Sequence, residues 1–179
     1  AITLLRQIEA EGRPASAEDR QVLQRYTGWG GLPASFKLEA SDSTWAERGR
    51  RLKELLPAED YESARASVNN SHYTEVHVIE AIWQAVERFG FTGGRILEPA
   101  AGIGHFIGAM PRNLAERSSI TTVEIDRVSG RILKALYAPG GVDVRISPFE
   151  KTPLPDHWLD LVIGNVPFGK YKVADVSNR

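Results

Sequence analysis

Apolar residues in the first part of the chain, up to residue 70, recur at steps of three and four, and no stretch alternates apolar and polar residues as a half-buried strand does. Ser16 precedes one of these runs, where it can cap a helix, and Thr44 with Glu47 forms a capping box ahead of another. The pattern predicts a helical N-terminal region over residues 1–70.

A glycine-rich segment interrupts this helical region. It reads Gly-Trp-Gly-Gly-Leu-Pro over residues 28–33, and its glycines favour backbone angles that other residues avoid. Trp29 and Leu32 are large enough to anchor the segment to a core. We interpret it as a structural turn.

From residue 71 onward, short apolar runs alternate with helical ones. The amphipathic pattern predicts a helix over 74–89, capped by Thr74, and another over 126–137. Such alternation predicts an α/β fold with a mostly parallel sheet and a ligand site at the carboxyl ends of the strands. The strands are predicted at residues 95–98, 119–125, 142–147 and 159–164.

Composition narrows the classes of protein that fit. The chain has 179 residues, 42% of them hydrophobic, and no apolar run long enough for a transmembrane helix or the core of a signal peptide. It has no cysteine, which excludes disulfides, a thiolate nucleophile and Cys-based zinc sites, and its four histidines lack the paired spacing of a metal-binding motif. These features predict a cytoplasmic protein with no membrane contact and no bound metal.

Charge gives only local support for nucleic-acid binding. Lys and Arg number 22 and Asp and Glu 23, so the net charge of −1 provides no general attraction to phosphates. A cluster of basic residues in the N-terminal region is compatible with either phosphate contacts or a solvated helix face. Its members are Arg48, Arg50, Arg51 and Lys53.

The clearest chemical motif follows the first predicted strand. Residues 98–106 read Glu-Pro-Ala-Ala-Gly-Ile-Gly-His-Phe, with small residues where the backbone turns into a helix and approaches a ligand closely. Glu124, at the end of the second predicted strand, is placed to accept hydrogen bonds from both hydroxyls of a ribose. Together they predict a cofactor that contains adenosine. Gly102, Gly104 and Gly108 also fit a loosened dinucleotide pattern, which keeps NAD(P) open.

The charge of Glu98 favours one such cofactor. A carboxylate just before the loop would repel a pyrophosphate at the positive end of the following helix. S-adenosylmethionine (AdoMet) has no phosphate and carries an ammonium and a sulfonium cation, which a carboxylate attracts. The sequence therefore predicts AdoMet as the cofactor.

A second motif follows the last predicted strand, where Asn165-Val166-Pro167-Phe168 provides an amide, a rigid turn and an aromatic ring. With the loop at 98–106, this segment resembles the amino-methyltransferases, whose corresponding motif is Asn/Asp-Pro-Pro-Tyr/Phe. Within that group the chain most resembles the adenine methylase domains of large phage and plasmid proteins that combine a methylase with a helicase. The resemblance covers residues 71–169.

The resemblance implies a fold and an activity. The fold is a Rossmann-like AdoMet-dependent methyltransferase core over residues 71–179, incomplete at its C-terminus, in a longer protein with further domains such as a helicase. The activity is methyl transfer to the N6 amino group of adenine, in a phage or plasmid restriction–modification setting. DNA is then the partner.

Catalysis under this hypothesis relies on hydrogen bonding and positioning. The side-chain oxygen of Asn165 and the carbonyl of Val166 would accept hydrogen bonds from N6 and make its lone pair available. Phe168 would stack on the flipped base, and Pro167 would restrict the turn that aims these groups. Val166 stands where the family has its first proline, so the ring that fixes the backbone is missing there.

Under the same resemblance, AdoMet would contact residues of the loop, of the strand ends and of the segment before the first helix of the core. Tyr73 and Thr74 would cover its methionine end, and Phe149 would line its adenine pocket. The full predicted set is Tyr73, Thr74, Glu98, Pro99, Ala100, Gly102, Gly104, Phe106, Glu124, Ile125 and Phe149.

Other functions stay open on the sequence. The Asn-Pro-type motif also serves methylation of another planar nitrogen, in an RNA adenine or a protein glutamine. The glycine pattern also suits an NAD(P)-dependent oxidoreductase. A module that binds a ligand without a reaction of its own is the remaining alternative.

Overall fold

The computed structural model describes residues 1–36, 43–68 and 73–167. Helices α1 to α8 span Ile2–Glu11, Ala17–Leu23, Ser43–Leu55, Ala58–Ser67, Val76–Arg88, His105–Gly108, Arg112–Ala115 and Arg127–Tyr137. Strands β1 to β4 span Arg95–Glu98, Ser119–Glu124, Asp143–Ile146 and Leu161–Val162. Single turns of 3-10 helix lie at Pro33–Phe36, Ala138–Gly140 and Phe149–Lys151. None of the helices in this described part is long and apolar enough to cross a membrane.

The sheet brings the carboxyl ends of its strands to one edge. Within the described residues its strand order is β3-β2-β1-β4, and every pairing is parallel. Glu98 is paired with Thr122 at the end of β1, and Glu124 lies just beyond this pair on β2. The predicted α/β class and parallel sheet are confirmed, and each strand falls within its predicted range.

Helices α1, α2 and α4 of the N-terminal region pack on α8 and share an apolar core with it. The predicted stripe on α8 is buried at Val128, Ile132 and Leu136. The N-terminal region contributes Leu5, Ile8, Leu23, Tyr26, Trp29, Leu56, Tyr61, Ala64 and Val68 to the same core. The predicted boundary between residues 70 and 71 stays a prediction, because both positions lie outside the described residues.

A buried carboxylate adds polar contacts to this packing. Asp60 on α4 is almost fully buried, and it forms ion pairs with Arg127 at 2.9 Å and with Arg131 at 2.6 Å. Both arginines belong to α8, so a single acidic side chain holds the first turns of that helix against α4. The carboxyl edge of the sheet lies next to this contact, because α8 begins directly after β2.

A second apolar cluster joins α5, α6 and α7 to β1. The indole N–H of Trp83 donates a hydrogen bond to the carbonyl of Phe106 at 2.9 Å and thereby ties α5 to α6. The members of the cluster are Ile79, Trp83, Ile96, Phe106, Met110, Leu114 and Ile163. This packing fixes the position of α6, which carries the end of the glycine loop.

Helix starts agree with the sequence at some positions and differ at others. Ser16 caps α2 in a reciprocal capping box with Asp19, as predicted for its hydroxyl. Thr44 is inside α3, which begins at Ser43. Thr74 is not a cap either, because α5 begins at Val76, and its hydroxyl instead accepts a hydrogen bond from the Asn165 side chain at 3.2 Å.

Candidate functional site

A cavity of about 1060 Å³ opens at the carboxyl edge of the sheet. Its volume is at the upper end of the range for sites that hold small molecules and cofactors. The structure brings most of the predicted site residues to its wall: Tyr73, Thr74, Glu98, Pro99, Ala100, Gly102, Phe106, Glu124, Ile125, Phe149, Asn165, Val166 and Pro167. Phe168 lies outside the described residues.

The two glycines of the loop have different neighbours. Gly102 has a φ of +57°, and a Cβ there would lie 2.6 Å from Cε1 of Tyr73. Its lack of a side chain therefore lets the Tyr73 ring rest directly on the loop. Gly104, with a φ of +87°, is not part of the cavity wall and faces Leu133 and Tyr137 on the α8 side. The predicted contact of Gly104 with a cofactor thus becomes a packing contact between the loop and α8.

Glu124 is held in place by two backbone groups. Its Oε2 accepts a hydrogen bond from the N–H of Gly102 at 2.6 Å, and its Oε1 accepts one from the N–H of Asp126 at 2.7 Å. Burial raises the pKa of Glu124 to about 7, although these hydrogen bonds favour the ionised form. Each carboxylate oxygen has a second lone pair, so Glu124 can still accept hydrogen bonds from a ligand.

Glu98 lies deeper and is less well satisfied. It is 2% exposed, and its Oε2 has no hydrogen-bond partner among the described residues. Burial, together with the charge of Glu124, raises the pKa of Glu98 well above its usual range. A buried carboxyl group with an open oxygen is costly unless a donor or a cation reaches it. The position of Glu98 on the cavity wall makes a ligand cation a suitable partner.

The charges on the cavity wall are of one sign. Four acidic residues line it, and no Lys or Arg does so within the described part of the chain. Burial lowers the pKa of His105, so this side chain adds no positive charge at neutral pH. The acidic residues are Glu98, Glu124, Asp126 and Glu150. Such a wall attracts cations and disfavours phosphate groups.

The mouth of the cavity is apolar. Ile125 and Phe149 are 61% and 48% exposed, which is unusual for large apolar side chains. Val162 and Val166 are also exposed and line the same cavity. Apolar side chains of this kind are suited to covering a flat ring such as a nucleobase.

The polar residues of the site that were not predicted include Asp126 and His105. Asp126 follows Glu124 closely and caps α8, accepting a hydrogen bond from the N–H of Ser129. His105 is the first residue of α6, and its ring lies 4.7 Å from that of Tyr73. Asp126 is visible in the sequence as an N-cap at a strand end, whereas the stacking of His105 depends on a distant residue. Among the described residues, no group of three or more acidic or His side chains is arranged to hold a metal ion.

Comparison with known proteins gives one informative match. The chain matches no protein-family model and no solved structure. It is 31% identical over 171 residues to a protein of Escherichia phage P1 named "Defense against restriction protein B". The match covers 94% of this chain and only 6% of the phage protein. The chain is therefore similar to a short segment of a much longer protein.

This comparison corrects the predicted function. The prediction of an AdoMet-dependent DNA adenine-N6 methyltransferase, like the methylase of phage and plasmid methylase–helicase proteins, is wrong, because the relative is named for defence against restriction. The same comparison corrects the alternative enzyme activities, which are methylation of an RNA adenine or a protein glutamine and an NAD(P)-dependent oxidation. A strand, a glycine turn and a helix specify the shape of a pocket, and the same shape serves unrelated functions. The predicted phage and restriction setting does agree with the source and name of the relative.

Proposed function

We propose that this chain is an AdoMet-binding segment of a protein that defends DNA against restriction. The name of the phage relative supports the biological role. The observation that supports the ligand is the cavity itself, whose wall carries four acidic side chains and, among the described residues, no Lys or Arg. We assign ligand binding to the chain and no reaction.

The residues of the cavity fit the parts of AdoMet. Glu98, with its open buried oxygen, would hold the ammonium group, and Glu124 would accept hydrogen bonds from the ribose hydroxyls. Ile125 and Phe149 would cover the adenine ring at the apolar mouth. AdoMet carries a sulfonium and an ammonium cation, and the acidic side chains of the cavity wall attract both.

A dinucleotide fits the same wall less well. The pyrophosphate of NAD(P) would approach the start of α6, close to the side chain of Glu98. Two phosphate charges would then face the acidic wall, where the described residues offer no basic side chain to offset them. The order and parallel pairing of the strands are common to Rossmann-like cores of both kinds, so the acidic wall is the feature that favours AdoMet.

Calorimetric titration tests the ligand. We expect the chain to bind AdoMet and to bind NADH at least tenfold more weakly. Glu124→Gln should weaken AdoMet binding about tenfold, or roughly 1.4 kcal/mol, because a neutral amide accepts fewer and weaker hydrogen bonds from ribose hydroxyls.

The matched control changes an acid far from the cavity. Glu116 forms an exposed ion pair with Arg112, so Glu116→Gln removes the same charge at the surface and should leave the AdoMet affinity unchanged. Equal binding of NADH and AdoMet, or unchanged AdoMet affinity in Glu124→Gln, would contradict the proposal.

We also propose that the basic residues of α3 contact DNA. Arg48, Arg50, Arg51 and Lys53 are exposed, and no ion pair of the described residues involves them. Arg48 lies over the ring of Trp45 at 4.9 Å. Exposed cationic side chains of this kind are available for phosphates, which supply most of the affinity of non-specific DNA binding.

Removing two of these charges should weaken DNA binding. We expect Arg50→Ala/Arg51→Ala to bind a short DNA duplex about fivefold more weakly, and the slope of log affinity against log salt to fall by about 2. Fluorescence anisotropy across a salt series measures both values. Arg112→Ala is the control, because Arg112 is exposed but already paired with Glu116. An unchanged salt slope would show that α3 does not touch phosphates.

A further inference from the structure

One side chain of the glycine-rich segment, that of Trp29, contacts a residue of the cavity wall. Trp29 is 2% exposed, and its ring packs edge-on against Tyr26 at 5.7 Å and against Phe36 at 5.6 Å. Its indole N–H donates a hydrogen bond to Oδ2 of Asp126 at 3.1 Å. These two residues are 97 positions apart in the sequence, and Asp126 is part of the cavity wall.

Asp126 joins the N-terminal region to the proposed ribose site. Its Oδ2 also accepts hydrogen bonds from the N–H and the hydroxyl of Ser129, at 3.0 and 2.5 Å. Its Oδ1 accepts one from the hydroxyl of Ser63 on α4 at 3.3 Å. Its backbone N–H in turn donates to Glu124. The position of the Glu124 carboxylate therefore depends on how Asp126 is held.

We infer that Trp29 is a positioning residue for ligand binding, which rests on the proposed AdoMet site. Its indole N–H fixes the carboxylate of Asp126, and the backbone of Asp126 fixes Glu124 where the ribose binds. The turn over residues 28–33 thus has a role beyond packing. The helical N-terminal region is part of the ligand site and not only a support for α8.

Trp29→Phe separates this role from packing. Phenylalanine keeps an aromatic ring beside Tyr26 and Phe36 and removes the N–H group. Trp83→Phe is the matched control, because Trp83 is equally buried and donates its indole N–H to a backbone carbonyl instead of a carboxylate of the cavity. Both variants lose one buried hydrogen bond, so their losses of stability should be similar.

A double-mutant cycle on the full chain tests the inference. AdoMet is titrated into the wild type, Trp29→Phe, Glu124→Gln and the double variant. We expect Trp29→Phe to weaken binding about tenfold in the wild-type background and less than threefold in the Glu124→Gln background, because the two side chains act on the same contact. Trp83→Phe should have the same effect on affinity in both backgrounds.

The outcomes separate the two proposals. Failure of the wild type to bind AdoMet overturns the proposed function, and this inference with it. Binding by the wild type with an unchanged affinity in Trp29→Phe, or with equal effects of Trp29→Phe in both backgrounds, overturns only the inference. If Trp29→Phe does not fold, NMR of the wild type decides: the indole N–H signal of Trp29 should shift on addition of AdoMet, and an unmoved signal overturns the inference.

Discussion

Replacing Gly104 with alanine is expected to lower the free energy of unfolding by about 3 kcal/mol. Its φ of +87° lies in the left-handed region, where a residue with a Cβ is strained by about 1–2 kcal/mol. In addition, the new Cβ would lie 2.7 Å from both Leu133 Cδ1 and Tyr137 Cε2. Relieving this overlap requires the Leu133 side chain and the Tyr137 ring to shift, which costs about 1–3 kcal/mol in a packed core.

Gly141→Ala separates the two causes. Gly141 has a similar φ of +91°, and no atom outside its immediate neighbours lies within 4 Å of a Cβ there. This variant should lose only the strain, about 1 kcal/mol. Urea denaturation of both variants and the wild type measures the difference. If the two variants were destabilised equally, close packing of the loop on α8 would not contribute at Gly104.

The glycine loop illustrates how far sequence predicts a site. Gly102 and Gly104 are equivalent members of a pattern in the sequence, and both are predicted to contact a cofactor. The structure places Gly102 under Tyr73 at the cavity and Gly104 against α8. The local sequence determines that the backbone turns at this point. It does not determine which neighbour fills the space beside each glycine, because those neighbours come from distant parts of the chain.

The same limit explains what could be predicted elsewhere. The strands lie in their predicted ranges because apolar runs between turns are a local signal. The contact between Trp29 and Asp126 could not be predicted, since it joins residues 97 positions apart. The motifs of the glycine loop and of the last strand specify the shape of a pocket and not its reaction. The structure therefore has a cavity at these motifs, whereas the activity inferred from them is wrong.

Replacing Glu98 with glutamine is expected to stabilise the free protein and to weaken AdoMet binding. The carboxyl group of Glu98 is nearly fully buried, and its Oε2 has no partner among the described residues. Glutamine has nearly the same shape and no charge to desolvate. At pH 8 we expect the free energy of unfolding to rise by about 2 kcal/mol. Loss of the bond to the ligand ammonium should weaken AdoMet binding about thirtyfold, or roughly 2 kcal/mol.

The effect on stability should depend on pH with a defined sign. The pKa of Glu98 is raised in the folded state, so the folded chain holds a proton that the unfolded chain releases once the pH exceeds the ordinary Glu value of about 4.3. The contribution of Glu98 to the free energy of unfolding of the wild type is therefore fully present below that pH. It is lost as the pH rises toward the pKa of Glu98 in the folded state. Glutamine does not titrate, so Glu98→Gln has no such loss. The excess of its free energy of unfolding over that of the wild type should be near zero at pH 4 and should grow toward pH 8.

Binding should show the opposite trend in the wild type. A ligand cation favours the ionised carboxylates, so AdoMet affinity should increase between pH 5.5 and 7.5 as Glu124, whose pKa is about 7, loses its proton. Calorimetry in buffers of different ionisation enthalpy should detect proton release on binding, and this release should be smaller in Glu98→Gln. Glu116→Gln, at an exposed position, should change neither stability nor proton release. A Glu98→Gln variant that is less stable than the wild type at pH 8 would mean that a partner inside the protein already satisfies this carboxylate, and the reason to assign it to a ligand cation would be lost.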